Sequence, residues 1–214
     1  MNRAGNSPAF LITLRYIEKN NKIKMQTFKH FKGNTNEGFD MGSVEIEVSS
    51  KITQPKVLSS DIVEEIEKRI AGEYVAHFTY RNAANWCRNA NYKKAAAFFE
   101  GEAAYELDHA KMLQDYLTQW NVIPKLIPVD SNICFTSLVQ IIDEAYDVEY
   151  NLLRNYSAMQ HALCEAHPAT FNFIQKFVDI QNESVAEYSD LLNALCLINI
   201  DNKLDLLYFE QTYF

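Results

Sequence analysis

Glu106-Leu107-Asp108-His109 is the stretch that sets the reading of this 214-residue chain. On a helix, a Glu and a His three residues apart project from the same face, close enough to grip one ion between them. Glu-x-x-His is common in helical proteins, so its weight comes from its company. Glu73 lies 33 residues upstream on a second helical stretch, Glu149 lies on a third and Gln181 on a fourth. Glu149 and Gln181 are 32 residues apart, nearly the interval from Glu73 to Glu106. Two helical hairpins with that spacing hold their polar residues at one height. Carboxylates from two helices with a Glu-x-x-His from a third follow the ligand logic of two-metal sites in helical bundles.

Working outward, helical texture begins at Asp61. Asp61-Ile62-Val63-Glu64 has the spacing of a capping box, and Ile62, Ile66, Ile70, Glu73 and His77 continue one face. The first helix is predicted to run to about Asn89, with a turn at Asn89-Ala90-Asn91, and the second to cover Tyr92 to Trp120. Pro124 and Pro128 exclude regular helix between Val122 and Phe135. A third helix is predicted over Thr136–Glu165, a corner at His167-Pro168, a fourth helix over Ala169–Leu197, and a short terminal helix over Leu204–Tyr213. Short turns make helices one and two, and three and four, antiparallel hairpins. A connector of ~14 residues reaches roughly 45 Å, and a 28-residue helix is about 42 Å long. The connector is therefore long enough to cross the whole bundle and set helix three parallel to helix two. The expected fold is all-α: a four-helix bundle with one long crossover and a short fifth helix.

Residues 1–57 differ from the bundle domain expected over 58–214. They are rich in Asn, weakly periodic and basic, and read as a poorly ordered or partly extended arm, with Val44, Ile46 and Val48 alternating as a short extended segment. Residues 1–33 carry one acid, Glu18, which also suits a targeting peptide. The first 60 residues have a net charge of +4 and the remainder −12. An acidic body argues against nucleic acid as a partner and favours cations. No apolar run approaches the ~20 residues that cross a bilayer, so no membrane partner is expected. Cys87, Cys134, Cys164 and Cys196 form no Cys-x-x-Cys pair, so they are read as reduced thiols rather than a zinc site or a disulfide framework.

Each polar residue has a plainer reading. Glu73 either faces the core with a partner or sits at the edge of its apolar stripe in water, and periodicity fits both. His109 alone would be read as a core histidine, and Glu106 together with Glu73 turns it into a ligand. Glu102, one turn earlier, is read as solvated. Glu149 belongs to an acidic run with Asp143, Glu144 and Asp147, which alone would be an ordinary wet face. Tyr80, seven residues after Glu73, either hydrogen-bonds a ligand or donates an electron, or fills the core beside Phe78 and Trp86.

Residues 61–214 resemble non-haem ferritin. The resemblance is carried by Glu73 to Cys87 (EYVAHFTYRNAANWC), Ala95 to Phe99 (AAAFF), Thr170 to Phe173 (TFNF) and Leu207 to Phe209 (LYF). It implies a di-iron ferroxidase centre inside the subunit. Glu73, Glu106 and His109 would hold one iron. Glu106 would bridge to a second, shared with Glu149 and with Gln181 close by, and Tyr80 would occupy the family's nearby tyrosine position. Ser184 stands where many bacterial members have glutamate, which implies weaker hold on the second iron. Tyr105 and Ile180 replace two carboxylates of a third iron site, so that site is not expected. Leu107 and the Gln181-x-x-Ser184 pair depart from the bacterioferritin pattern, so no haem is expected.

The resemblance further implies oxidation of Fe(II) to Fe(III) by dioxygen and storage of ferric mineral in a homo-oligomeric cage of 24 subunits. The expected compartment is the cytoplasm, with organelle targeting by the extension as the second reading. The alternative is a di-iron oxidase or peroxidase of the rubrerythrin kind that stores nothing. Such proteins repeat the Glu-x-x-His and add a Cys-rich module, and this sequence does neither. A light-type chain would lack the centre's ligands, and a DNA-binding mini-ferritin would split them between subunits.

Overall fold

Four long helices place one polar residue each at mid-length. In a computed structural model, residues 55–214 are described throughout, together with three backbone strands within residues 1–54. The helices are α1 (Ser60–Asn89), α2 (Lys93–Gln119), α3 (Leu138–Leu163), α4 (Pro168–Leu195) and the short α5 (Lys203–Tyr213). Buried positions recur at helical spacing: Ile66, Ile70, Ala76 and Tyr80 on α1, and Phe99, Ala103, Ala110 and Leu113 on α2. The matching stripes are Ile141, Ile142, Ala145 and Leu152 on α3, and Ile174, Phe177 and Leu191 on α4. Removing each such Leu, Ile or Phe side chain from water contributes about 1.5–3 kcal/mol. Glu73, Glu106, Glu149 and Gln181 interrupt these stripes, each within two residues of the middle of its helix.

The helix ends follow local chemistry. Asn91 and Asn121 adopt positive φ, 69° and 60°, a backbone state Asn tolerates better than most residues. At the end of α1 the Tyr92 N–H donates to the Cys87 carbonyl and the Asn91 N–H to that of Arg88. Val122 and Asn121 repeat this at the end of α2, donating to Leu117 and Thr118. Both are Schellman closures. Ser137 caps α3 by accepting from the Gln140 N–H, and the His167 ring caps α4 by accepting from the Thr170 N–H, with Pro168 in the first turn. The capping box expected at Asp61 is not formed. Ser59 is the N-cap and makes no side-chain bond, and Asp61 lies inside the first turn, where its charge faces the helix dipole.

The crossover is traced by two hydrogen bonds. The Lys125 N–H donates to Glu67 near the start of α1, and the Asn82 side chain donates to the Ser131 carbonyl. Between Glu67 and Asn82 the connector climbs 15 residues of α1, about 22 Å. It thus returns to the far end of the bundle before α3 starts. Pairs across the core agree: Tyr80 meets Glu149 and Tyr156 meets Glu73, so α3 runs antiparallel to α1 and parallel to α2. At Gly72 a Cβ would come within 3.0 Å of the Leu152 side chain, so the glycine lets α1 and α3 approach closely beside Glu73.

Of the apolar run Leu204, Leu206, Leu207, Tyr208 and Phe209, only Phe209 is buried within the subunit. Beside it Glu210 is fully buried, and its Oε1 accepts the backbone N–H groups of Lys94 (2.6 Å) and Ala95 (3.2 Å). Tyr92 offers α2 no side-chain cap, and the first turn of α2 holds no acid. A carboxylate from α5 therefore caps α2 from 116 residues away. Glu210→Ala is expected to lower stability by about 1–2 kcal/mol, with Glu210→Gln recovering part of it. Equal denaturation midpoints for E210A and the parent would remove this role.

The chain divides into two compact units, residues 1–54 and 55–214. The first contains β1 (Leu14–Lys19), β2 (Lys22–Thr27) and β3 (Ser43–Glu45) in an antiparallel sheet of order β1-β2-β3. Leu14 pairs with Thr27, Lys19 with Lys22, and Met25 with Val44. The helical expectation holds for the bundle, and this sheet is added to it. Ile23 and Met25 alternating with lysines were its signal in the sequence. Of the expected extended segment, Val44 lies in β3, whereas Ile46, Val48 and the other stretches on which the expectation of poor order fell lie outside the described residues.

Candidate metal centre

Midway along the bundle the four interrupting residues converge. Glu73, Glu149 and Gln181 are fully buried and Glu106 nearly so, with His109 partly buried at the edge. One ligand atom each from Glu73, Glu106 and His109 lie within 4.8 Å of one another. The His109 Nδ1 is 3.1 Å from Glu106 Oε2 and 3.8 Å from Glu73 Oε2. The Glu-x-x-His pair thus faces the α1 carboxylate. Glu149 stands outside that trio but near enough to raise the proton affinity of Glu106 by repulsion.

The hydrogen bonds leave a specific deficit. The Tyr156 hydroxyl donates to Glu73 Oε1, and the Tyr80 hydroxyl donates to Glu149 Oε1. The second oxygen of each glutamate, and both polar atoms of Gln181, are buried with no hydrogen-bond partner among the described residues. An orphaned buried polar atom costs about 1–3 kcal/mol, and more where it is charged. Four of them converging on one layer are hard to reconcile with a site built for stability, and they suit hard cations that accept carboxylate, amide and imidazole donors. The residues present therefore fit a metal ion.

Crowding of carboxylates in an apolar layer shifts their protonation. Burial pushes Glu106 well up, with Glu73 adding to it against the opposing His109. Burial likewise raises Glu149 to about 7, against the hydrogen bond from Tyr80. For His109 burial pulls the imidazole down, but Glu106 and Glu73 outweigh it and hold it at about 10. Without a cation the centre holds protons, and a cation replaces them.

Among the expected residues, Tyr80 is fully buried, bonded to Glu149 and stacked 6.1 Å from both Phe99 and Tyr188. Its polar tip and its apolar body are both used. Ser184 is half-buried one turn beyond Gln181. Of the acidic run, Asp143, Glu144 and Asp147 are exposed and Glu149 alone turns inward. Glu102 corrects its reading as solvated: it is half-buried, accepts at 3.5 Å from the Tyr188 hydroxyl, and burial with repulsion from Glu187 raises it to about 7. His77 points elsewhere, its Nδ1–H donating to the Ala103 carbonyl. Tyr156 and Tyr188 were missed in the sequence. The signal for Tyr156 was its position seven residues after Glu149, the mirror of Tyr80 after Glu73. All four cysteines are free, Cys87 buried and the others exposed.

Comparison with known proteins agrees with this geometry. The sequence profile of the family described as ferritin-like domain matches residues 63–198. Bacterial non-heme ferritin from Escherichia coli O6:H1 is 27% identical over 143 residues, covering 66% of this chain and 87% of the relative. Bacterial non-heme ferritin from Campylobacter jejuni is 29% identical over 146 residues, covering 66% and 86%. In fold the chain is similar to an open-pore ferritin from the archaeon Archaeoglobus fulgidus, with a TM-score of 0.69 at 23% identity over 73% of this chain and 97% of that one.

Proposed function

The chain belongs to the ferritin family, and from that premise we propose that it is an iron-storage subunit with ferroxidase activity, oxidising Fe(II) with dioxygen at a two-ion centre within the bundle. The observation that carries this reading is the set of unpartnered buried atoms on Glu73, Glu149 and Gln181 beside the Glu106–His109 pair. Ferrous iron, as substrate, supplies the electrons that reduce dioxygen.

In this reading Glu73, Glu106 and His109 hold the first ion. Glu106 bridges to the second, which Glu149 and Gln181 also hold, with Ser184 contributing weakly. The carboxylates balance the charge of the incoming cations, and protons displaced from Glu106, Glu149 and His109 leave as the ions bind. Tyr80 fixes Glu149 through its hydroxyl while leaving Oε2 to the ion. The apolar stripes above and below exclude bulk water, which strengthens each of these interactions. Leu107 stands where the bacterioferritin pattern would place a haem-binding methionine, and no haem enters the proposal.

Storage requires many copies, and we place the subunit in a homo-oligomer of 24. Support comes from apolar side chains the single subunit leaves in water: Ile123 (90% exposed) on the connector and Leu204, Leu207 and Tyr208 on α5. The arm over 1–57 is taken as an appendage to this bundle. No helix among the described residues is long and apolar enough to cross a membrane. The proposed compartment is the cytoplasm, in keeping with four unpaired cysteines.

Size-exclusion mass combined with aerobic iron uptake tests the proposal. Two dozen subunits of 24.7 kDa each should elute near ~590 kDa as a closed symmetric shell, and should retain iron far beyond two ions per subunit. A small oligomer that turns over Fe(II) but retains no iron would instead be a di-iron oxidase of the rubrerythrin kind.

A further inference from the structure

Tyr80 and Tyr156 obey the same pseudo-twofold relation as the two hairpins. Tyr80 stands seven residues after Glu73 on α1 and donates to Glu149. Tyr156 stands seven residues after Glu149 on α3 and donates to Glu73. Each glutamate thus gives one oxygen to a tyrosine from the facing helix and keeps the other free. Both rings are fully buried. Tyr80 stacks on Tyr188 at 6.1 Å, and Tyr156 stacks on Phe177 at 5.0 Å and 17°. From Phe177 the aromatic series continues through Phe173 to Tyr116 and the half-buried Trp120.

Packing alone does not call for this hydroxyl. Phe would fill the same space with no polar tip to satisfy. A buried phenol gives up an electron readily only when its proton departs with it, since a charged ring in an apolar layer is costly. A carboxylate already hydrogen-bonded to the hydroxyl meets that requirement, and Tyr156 has one in Glu73.

We propose that Tyr156 is a one-electron donor to dioxygen at this centre, the counterpart of Tyr80, so that two ferrous ions and two tyrosines together reduce dioxygen to water. The proposal rests on the ferroxidase reading above. Its balance is closed. Two ferrous ions lose one electron each, and each tyrosine loses one electron and the hydroxyl proton, becoming a neutral radical. The O–O bond breaks, and the two tyrosine protons, relayed through Glu73 and Glu149, join two protons from solvent to form two waters. Further ferrous ions then reduce the radicals, each tyrosine regaining an electron and a proton.

Freeze-quench electron paramagnetic resonance tests this in the full-length protein, loaded anaerobically with two ferrous ions per subunit and mixed with dioxygen. Y80F should retain a tyrosyl radical signal, and Y80F/Y156F should lose it. The double variant should also release one hydrogen peroxide for every two ferrous ions oxidised, because only two electrons are then available, whereas the parent should release almost none. Visible absorption of bound Co2+, read before any dioxygen is admitted, reports whether the centre assembles in each variant. The role of Tyr156 is overturned by a radical-free Y80F that oxidises iron rapidly, or by an undiminished radical in the double variant. Y80F leaves Tyr156 and its packing intact, so its result stands even where Y156F folds poorly. A parent protein that does not oxidise Fe(II) rapidly would instead sink the ferroxidase reading, and this inference with it.

Discussion

Replacing both Glu106 and His109 with alanine should reduce the initial rate of ferrous oxidation by roughly a hundredfold or more, since losing even outer partners of metal ligands costs 10–100-fold. Glu106 is the one carboxylate proposed to touch both ions, and His109 is the only nitrogen donor in the trio. Without them Glu73 stands alone on one side and Glu149 with Gln181 on the other. The fold should survive. Alanine is the strongest helix former, the stripes on either side of position 106 are untouched, and a buried carboxylate burdened by desolvation is removed along with the histidine. Stopped-flow absorbance for the rate and far-ultraviolet circular dichroism for helix content separate the two effects. A double variant oxidising iron at the parent's rate would show that the centre lies elsewhere.

The second large effect is thermodynamic. The metal-free bundle should lose stability as pH rises from about 5 to 8, and ion-loaded protein should not follow it. Glu149 and Glu102 titrate near 7 in the fold against an ordinary value of 4.5. Each therefore contributes stability that is complete below about 4.5 and is lost as pH climbs through about 7. His109 is raised to about 10 from 6.5, so its contribution is complete below about 6.5 and fades as pH rises toward 10. All three act in the same direction, and their sum across this window is on the order of a few kcal/mol. A bound divalent cation reverses the sign for Glu149 and His109, because the ion needs the deprotonated ligands that the empty site disfavours. Calorimetric melting of chelator-treated and Zn2+- or Co2+-loaded protein should show a gap that widens from pH 5.5 to pH 8. Melting temperatures that move in parallel would mean that the buried carboxylates and the ion do not share a site.

Much of the architecture could be read along one dimension. The helix boundaries lie within about two residues of those expected, because apolar periodicity, asparagine turns and the Pro124/Pro128 interruption are local signals. The crossover needed only a length argument, later traced by the Lys125 and Asn82 hydrogen bonds. Local patterns failed where competing local partners existed. Asp61 had capping-box spacing, yet Ser59 begins the helix two residues earlier than that box requires. Glu102 looked solvated because nothing nearby in sequence announced Tyr188, which meets it from another helix.

What the sequence determined by itself was the bundle, its two hairpins and the nearly equal spacing that sets four polar residues at one height, since these depend on helical period and segment length. Only the tertiary structure decided which acid of the run from Asp143 to Glu149 turns inward, that Glu210 caps α2, and that Tyr156 and Tyr80 each hold the other hairpin's glutamate. Those outcomes depend on how helices rotate and pack against one another. Burial and hydrogen-bond partners across a core arise from side chains far apart in the chain, and no local pattern encodes them.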